Sequence, residues 1–231
     1  MRILRNERHI RWRSVVGKYA ALSGLLVLLV GLVASFIKPE WVGVMLGCLT
    51  AGFVLTTIGG FYSDRYGGPL AHHEALAAAL KGLDDRYTLL QYRLPADHVL
   101  VEPGGCTAFA VKPQGGKVSF EKDRWKHRER NKFFRQLVGQ EPLAAPDYEA
   151  ERQARKLSRW LAKQLPGVEV PVRGVIVFVN PDVELDVKES PLPAFYGKKV
   201  KSWLRGPGKL KPLTPEAQQA LLGALGAVTE E

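Results

Sequence analysis

Two long stretches of this chain have no polar alternation. Residues 19–37 and 41–62 are uncharged and largely apolar, parted only by Lys38, Pro39 and Glu40. At about 1.5 Å of rise per residue, either run as a helix spans a hydrocarbon core of about 30 Å. The three-residue connection predicts an antiparallel helical hairpin with both ends on the same side. After a break at Gly67, Gly68 and Pro69, the pattern becomes short and mixed. Leu76, Leu80 and Leu83 fall at helical spacing in an Ala-rich run and predict a short amphipathic helix. Residues 87–94, 98–101, 106–112 and 117–120 are rich in β-formers, and Pro and Gly separate them, so they predict a meander of three or four strands. In residues 147–165 Ala150, Ala154, Leu157, Leu161 and Leu165 share one stripe, which predicts a long amphipathic helix. Residues 172–179 are almost wholly apolar, the mark of a strand covered on both faces. Thr214, Pro215 and Glu216 supply a cap, a first-turn proline and an acidic first turn for a last helix through Ala227. There is no internal repeat and no low-complexity tract.

Charge sharpens this picture. Half of the net charge of +10 sits in residues 1–18, where Arg2, Arg5, Arg8, Arg11, Arg13 and Lys18 face Glu7 alone. This segment reads as a basic tail (1–18) before a membrane hairpin (19–62), and the positive-inside tendency puts it, with residues 63–231, in the cytoplasm. The expected location is a prokaryotic plasma membrane with both termini cytoplasmic. A cleaved signal peptide is the competing reading of the first run, but that run is long and leads straight into a second. Neither span carries Asp, Glu, Lys or Arg, which argues for an anchor over a transport path. Gly24, Gly31, Gly43, Gly47, Ala51 and Gly52 favour close helix packing, and Gly43 with Gly47 makes a GxxxG spacing. The two cysteines, Cys48 and Cys106, do not suggest a disulfide framework.

Asp97 stands just before a predicted strand, and Ala110 and Lys112 share one facing on the next, because side chains alternate with period two. A carboxylate and a lysine converging from adjacent strands form the skeleton of a metal-dependent phosphodiesterase site. The run Pro95-Ala96-Asp97-His98-Val99-Leu100-Val101, then Pro103-Gly104-Gly105, then Phe109-Ala110-Val111-Lys112, resembles the nuclease-related domain (NERD), a branch of the PD-(D/E)xK nuclease fold. The resemblance extends over about half of the chain, from Gly68 through Val187. It implies a restriction-endonuclease-like α/β domain, a central mixed sheet flanked by helices, behind the transmembrane hairpin. In active relatives the Asp and a Glu two residues before the lysine bind a divalent cation, and the lysine orients the attacking water and stabilises developing charge. By resemblance Asp97 and Lys112 match, while Ala110 replaces that glutamate. A glutamate of the family's first helix falls on His73, with Glu74 adjacent, and a helix glutamine falls on Glu149 if Pro146 is the matching proline.

One carboxylate is a poor site for Mg²⁺. The resemblance therefore implies a nucleic-acid-associated domain with a depleted metal site, a pseudo-enzyme. The alternative is an active Mg²⁺- or Mn²⁺-dependent nuclease in which Glu74, Glu149 or Glu151 reaches the cation beside Asp97. His73 would suit a softer metal such as Mn²⁺ or Zn²⁺. A third reading is a membrane scaffold that binds protein partners. Blander accounts stand beside these: Asp97 as a turn residue, Lys112 as an exposed strand end, His72-His73-Glu74 as a solvated helix face and Cys106 as a buried or turn thiol. Two basic stretches, 122–135 and 198–211, interleave cations with aromatics. Lys122, Arg124, Lys126, Arg128 and Arg130 in the first and Lys198, Lys199 and Lys201 in the second suit either DNA or RNA phosphates or anionic lipid.

Overall fold

The computed structural model describes residues 1–68, 70–129 and 141–229, side chains after residue 226 aside. The described residues form two units: 1–7 with 72–129 and 143–229, and 8–71 with 141–142.

The second unit holds two helices, α1 (Glu7–Ile37) and α2 (Val42–Tyr66), joined by a turn in which the Trp41 N–H donates to the Lys38 carbonyl at 3.1 Å. Both are long and apolar enough to cross a membrane. They pack through glycines one heptad apart. A Cβ on Gly17, Gly24 or Gly31 would meet Tyr62, Thr56 or Cys48 at 2.8, 2.7 and 2.7 Å, and one on Gly59 would strike the Ala21 backbone. A hydrogen atom in place of a side chain is what permits this approach. Gly43 and Gly47 have open space where a Cβ would stand, so the GxxxG spacing takes no part in the hairpin. At the base of the pair, Arg13 donates to the Tyr66 hydroxyl at 3.2 Å and lies over the Tyr62 and Tyr66 rings.

The first unit is a mixed α/β domain. Its six-stranded sheet runs β1 (Arg2–Arg5), β2 (Thr88–Gln91), β3 (His98–Glu102), β4 (Gly105–Lys112), β7 (Val172–Phe178), β9 (Ala194–Tyr196). β2, β3 and β4 are antiparallel, whereas β4, β7 and β9 are parallel, as β1 is to β2. A smaller sheet orders β6 (Arg124–Arg128), β5 (Gly116–Glu121) and β8 (Val183–Asp186). Side-chain alternation assigns the helices to faces. Leu89, Leu100, Phe109 and Val111 pack with Leu76 and Leu80 of α3 (His72–Leu80) and Val200 and Leu204 of α5 (Gly197–Arg205). On the opposite face, Leu90, Val99 and Ala108 pack with Leu157 and Leu161 of α4 (Pro146–Gln164) and Leu221 and Leu225 of α6 (Pro215–Thr229). The Thr214 hydroxyl caps α6 by accepting the Ala217 N–H at 3.3 Å.

The predicted α/β class, the meander, the long helix and the buried strand are all present. The N-terminal segment differs from a plain tail. Arg2–Arg5 is an edge strand and α1 already opens at Glu7, because Leu4 has a partly buried seat against the core and the Met1 ammonium donates to the Leu83 carbonyl at 2.9 Å.

Candidate active site

The site grows from the antiparallel pairing of β3 with β4. Continuing the Val99↔Ala108 register two residues outward sets Asp97 opposite Ala110, with Lys112 one step further on the same facing. The Asp97 carbonyl accepts the Tyr92 N–H at 2.7 Å, and Tyr92 takes a left-handed φ of 57° to turn the chain. Helix α4 covers this facing, and its approach depends on small residues: a Cβ on Gly174 of β7 would meet the Ala150 carbonyl at 2.7 Å. Two side chains one helical turn apart then reach down. Gln153, buried, donates from Nε2 to Asp97 Oδ2 at 3.2 Å and accepts the Asp97 N–H at 3.4 Å. Glu149 Oε2 lies 2.6 Å from Lys112 Nζ.

Lys112 is therefore no exposed strand end; its side chain is 2% exposed and its charge is met by a carboxylate. Nor is Asp97 only a turn residue, since Gln153 holds it from the helix. Between them Ala110 offers a methyl group, 1% exposed and packed with Ala150, Ile176 and Phe178. Asp97, Lys112 and Glu149 are brought together around α4. Glu74 is not. It lies exposed on α3, against the other face of the sheet, 3.9 Å from His73 Nε2. Glu151 is also exposed on α4 and pairs with Arg155 at 3.2 Å.

The donor set does not suit a hard divalent cation, which needs several oxygen ligands in a fixed geometry. Asp97 contributes one carboxylate, position 110 none, and Glu149 is engaged by the ammonium. Among the described residues no group of three His, Cys, Asp or Glu is disposed to hold a metal.

Gln153 was missed in the sequence, although its position four residues after Glu149 was a usable signal. His72 and His73 are buried, correcting the solvated-face reading: α3 continues its apolar face to its first residue, packing His72 near His98 and His73 near Tyr92. Burial, then the Arg5 charge, lowers the pKa of His73, so its neutral form is favoured. Gln91 joins these layers, donating to the His73 carbonyl at 2.7 Å and accepting from Arg5 Nε at 2.8 Å.

At the far end of β3 and β4, a second buried polar group fixes the strands. Thr107 donates to Glu102 at 2.5 Å, and Arg173 Nη2 reaches the same carboxylate at 2.9 and 3.1 Å while its guanidinium covers Trp203. Burial raises the Glu102 pKa against the pull of Thr107 and Arg173. Cys106, beside it, is buried with its thiol pushed up to about 12, which leaves it inert as a nucleophile.

The basic residues divide by their surroundings. On edge strand β6, Arg124, Lys126 and Arg128 alternate outward while Trp125 and His127 turn inward. Lys122 is exposed in the turn before it, with φ 51°. Lys126 is matched by Glu121 at 2.6 Å. Arg130 lies outside the described residues. Lys198 and Lys199 are exposed at the start of α5, and Lys201 donates to the Lys81 carbonyl at 2.6 Å at the end of α3.

Residues 70–179 match the family model of the nuclease-related domain, NERD. No curated protein matches the chain significantly, and no solved structure does.

Proposed function

With residues 70–179 forming a nuclease-related domain, we propose that the protein is a membrane-anchored, nucleic-acid-binding relative of the metal-dependent nucleases that has lost cleavage. The carrying observation is the Lys112–Glu149 ion pair beside Ala110. The lysine that would stabilise transition-state charge is neutralised from α4, and the position that would complete a cation site carries a methyl group. The outward-facing Arg124 and Arg128 supply phosphate contacts. The two apolar helices anchor the chain. Strands β1 and β2 flank the hairpin in sequence yet pair side by side, which supports an even number of crossings. The density of cations before the first span supports a cytoplasmic side for the domain.

The test is binding and cleavage of labelled single- and double-stranded DNA and RNA by the full-length protein in detergent, with Mg²⁺ or Mn²⁺, beside Asp97→Ala and Lys112→Ala. Binding that weakens steeply with salt, without cleavage, is the expected result. No binding at low salt overturns the reading in favour of a protein scaffold. A second reading, an active nuclease with Glu149 as the relocated carboxylate, is favoured by the position of Glu149 one helical turn from Gln153, the residue that holds Asp97. Cleavage abolished in both variants would establish it.

A further inference from the structure

We infer that the domain takes a single-stranded nucleic acid, with a base seated in the groove between β8 and the β9–α5 corner; this deepens the nucleic-acid reading above and rests on it. The groove has a volume of about 740 Å³ and its lining includes Val183, Leu185, Phe195, Tyr196 and Trp203. That volume is within the range of small-ligand sites. Its charged lining consists of Lys188 and Lys199, without an acid. Apolar walls with aromatic rings and two lysines in the lining complement a flat base on an anionic backbone.

Position ties the groove to the site. Lys112 pairs with Phe178 and Phe178 with Tyr196, so Tyr196 stands in the same row as Lys112, two strands away. At spacings of about 4.8 Å between strands, that is roughly 10 Å, within the reach of neighbouring nucleotides. All three residues end parallel strands, and the crevice outside the carboxyl ends of such strands is where open α/β sheets receive ligands. Tyr196 and Phe195 are each half-buried, with part of their surface open to the groove, whereas Trp203 is braced by Phe195 at 5.1 Å and by Arg173 at 4.5 Å. Tyr196 is therefore the stacking platform, on the same facing as Lys112, while Phe195 and Trp203 close the groove from the other side of β9. A base of a duplex must first leave its pair and stack to enter here, at a cost of a few kcal/mol, so the groove favours single strands.

The experiment measures fluorescence anisotropy of labelled single-stranded and duplex oligonucleotides of equal length. It uses the full-length protein in detergent at low salt, with Tyr196→Ala, Tyr196→Phe and Lys199→Ala. A single strand carrying 2-aminopurine reports stacking directly. Tyr196→Ala is expected to weaken single-strand binding about tenfold and to abolish the 2-aminopurine quench, with Tyr196→Phe close to the unaltered protein and duplex affinity unchanged. Lys199→Ala, at an exposed position that the fold does not require, should weaken single-strand binding severalfold. Single-strand binding that withstands both alanine variants, or equal loss for duplex and single strand, overturns the inference and leaves nucleic-acid binding elsewhere on the domain. Absence of binding to any nucleic acid overturns the proposed function and this inference together.

Discussion

Lys112 Nζ and Glu149 Oε2 stand 2.6 Å apart, the lysine 2% and the glutamate 18% exposed, so helix α4 closes an ion pair over the end of β4. Removing one partner leaves a buried charge unmatched. Glu149→Leu should destabilise the protein by about 2–4 kcal/mol, reduced from the fully buried case because Glu149 is partly solvated. Lys112→Met with Glu149→Leu should recover most of that loss. Chemical denaturation of both variants decides it: a double variant no more stable than Glu149→Leu would mean that the pair itself contributes little.

The site also predicts what would restore a cation. Ala110→Glu combined with Glu149→Gln places two carboxylates, at 97 and 110, on one facing and frees Lys112. Calorimetric titration should then detect Mn²⁺ binding that the unaltered protein lacks and that Asp97→Ala removes. The new side chain enters a packed site beside Ile176 and Phe178, so a stability cost of about 1–3 kcal/mol accompanies the gain. Equal Mn²⁺ binding before and after the substitution would refute the depleted-site account.

Much of this was legible in the sequence, and the rest was hidden for physical reasons. Period-two and period-3.6 patterns located β2 to β5, β7 and three domain helices because their apolar positions repeat. Helix α5 lay inside a basic stretch, with Val200 and Leu204 as its only fully buried hydrophobic residues. Strand β6 has the sequence RWKHR, a charged alternation whose apolar partner is the other sheet face. Asp97, Lys112 and Glu149 were visible through their order along the chain. Gln153 stands one helical turn after Glu149, which puts it on the same helix facing, but its clasp on Asp97 joins residues far apart in sequence and shows only in the folded chain.

Acid should weaken the domain through His73. Its folded pKa lies below the ordinary 6.5, so the unfolded chain binds the proton more readily. Its contribution is complete above pH 6.5 and is lost as pH falls from there through the folded value. Glu102 acts in the opposite sense: its raised pKa gives stability that is full below the ordinary 4.5 and fades as pH rises through its folded value. His73→Leu isolates the first effect. It should flatten the fall in melting temperature below pH 6.5, by up to about 1.4 kcal/mol per pH unit in stability. An unchanged slope would show that His73 titrates alike in both states.

The hairpin offers an internally controlled comparison. Gly24→Leu forces a side chain onto Thr56, whereas Gly43→Leu enters open space. The first should lower the midpoint of SDS-induced loss of hairpin structure, at a cost of about 1–3 kcal/mol, and the second should leave it unchanged. Equal effects would mean that the glycine stripe does not join the helices.

Strand β1 makes the residues before the first apolar helix part of the domain that follows the second. Its four residues pair in register with Thr88–Gln91, Met1 donates to Leu83, and Arg5 reaches Gln91. Removing residues 1–6 uncovers the β2 edge, and several ladder hydrogen bonds at about 0.5–1.5 kcal/mol each make the expected loss about 2–4 kcal/mol. Hydrogen exchange should then accelerate at Leu89 and Gln91 and spread less to β7, which lies three strands further in. A synthetic peptide of residues 1–6 added in trans should restore part of the protection, because the open edge templates a parallel strand. If exchange at β2 were unchanged by the deletion, β1 would be dispensable, and the pairing that supports an even number of membrane crossings would lose its energetic basis.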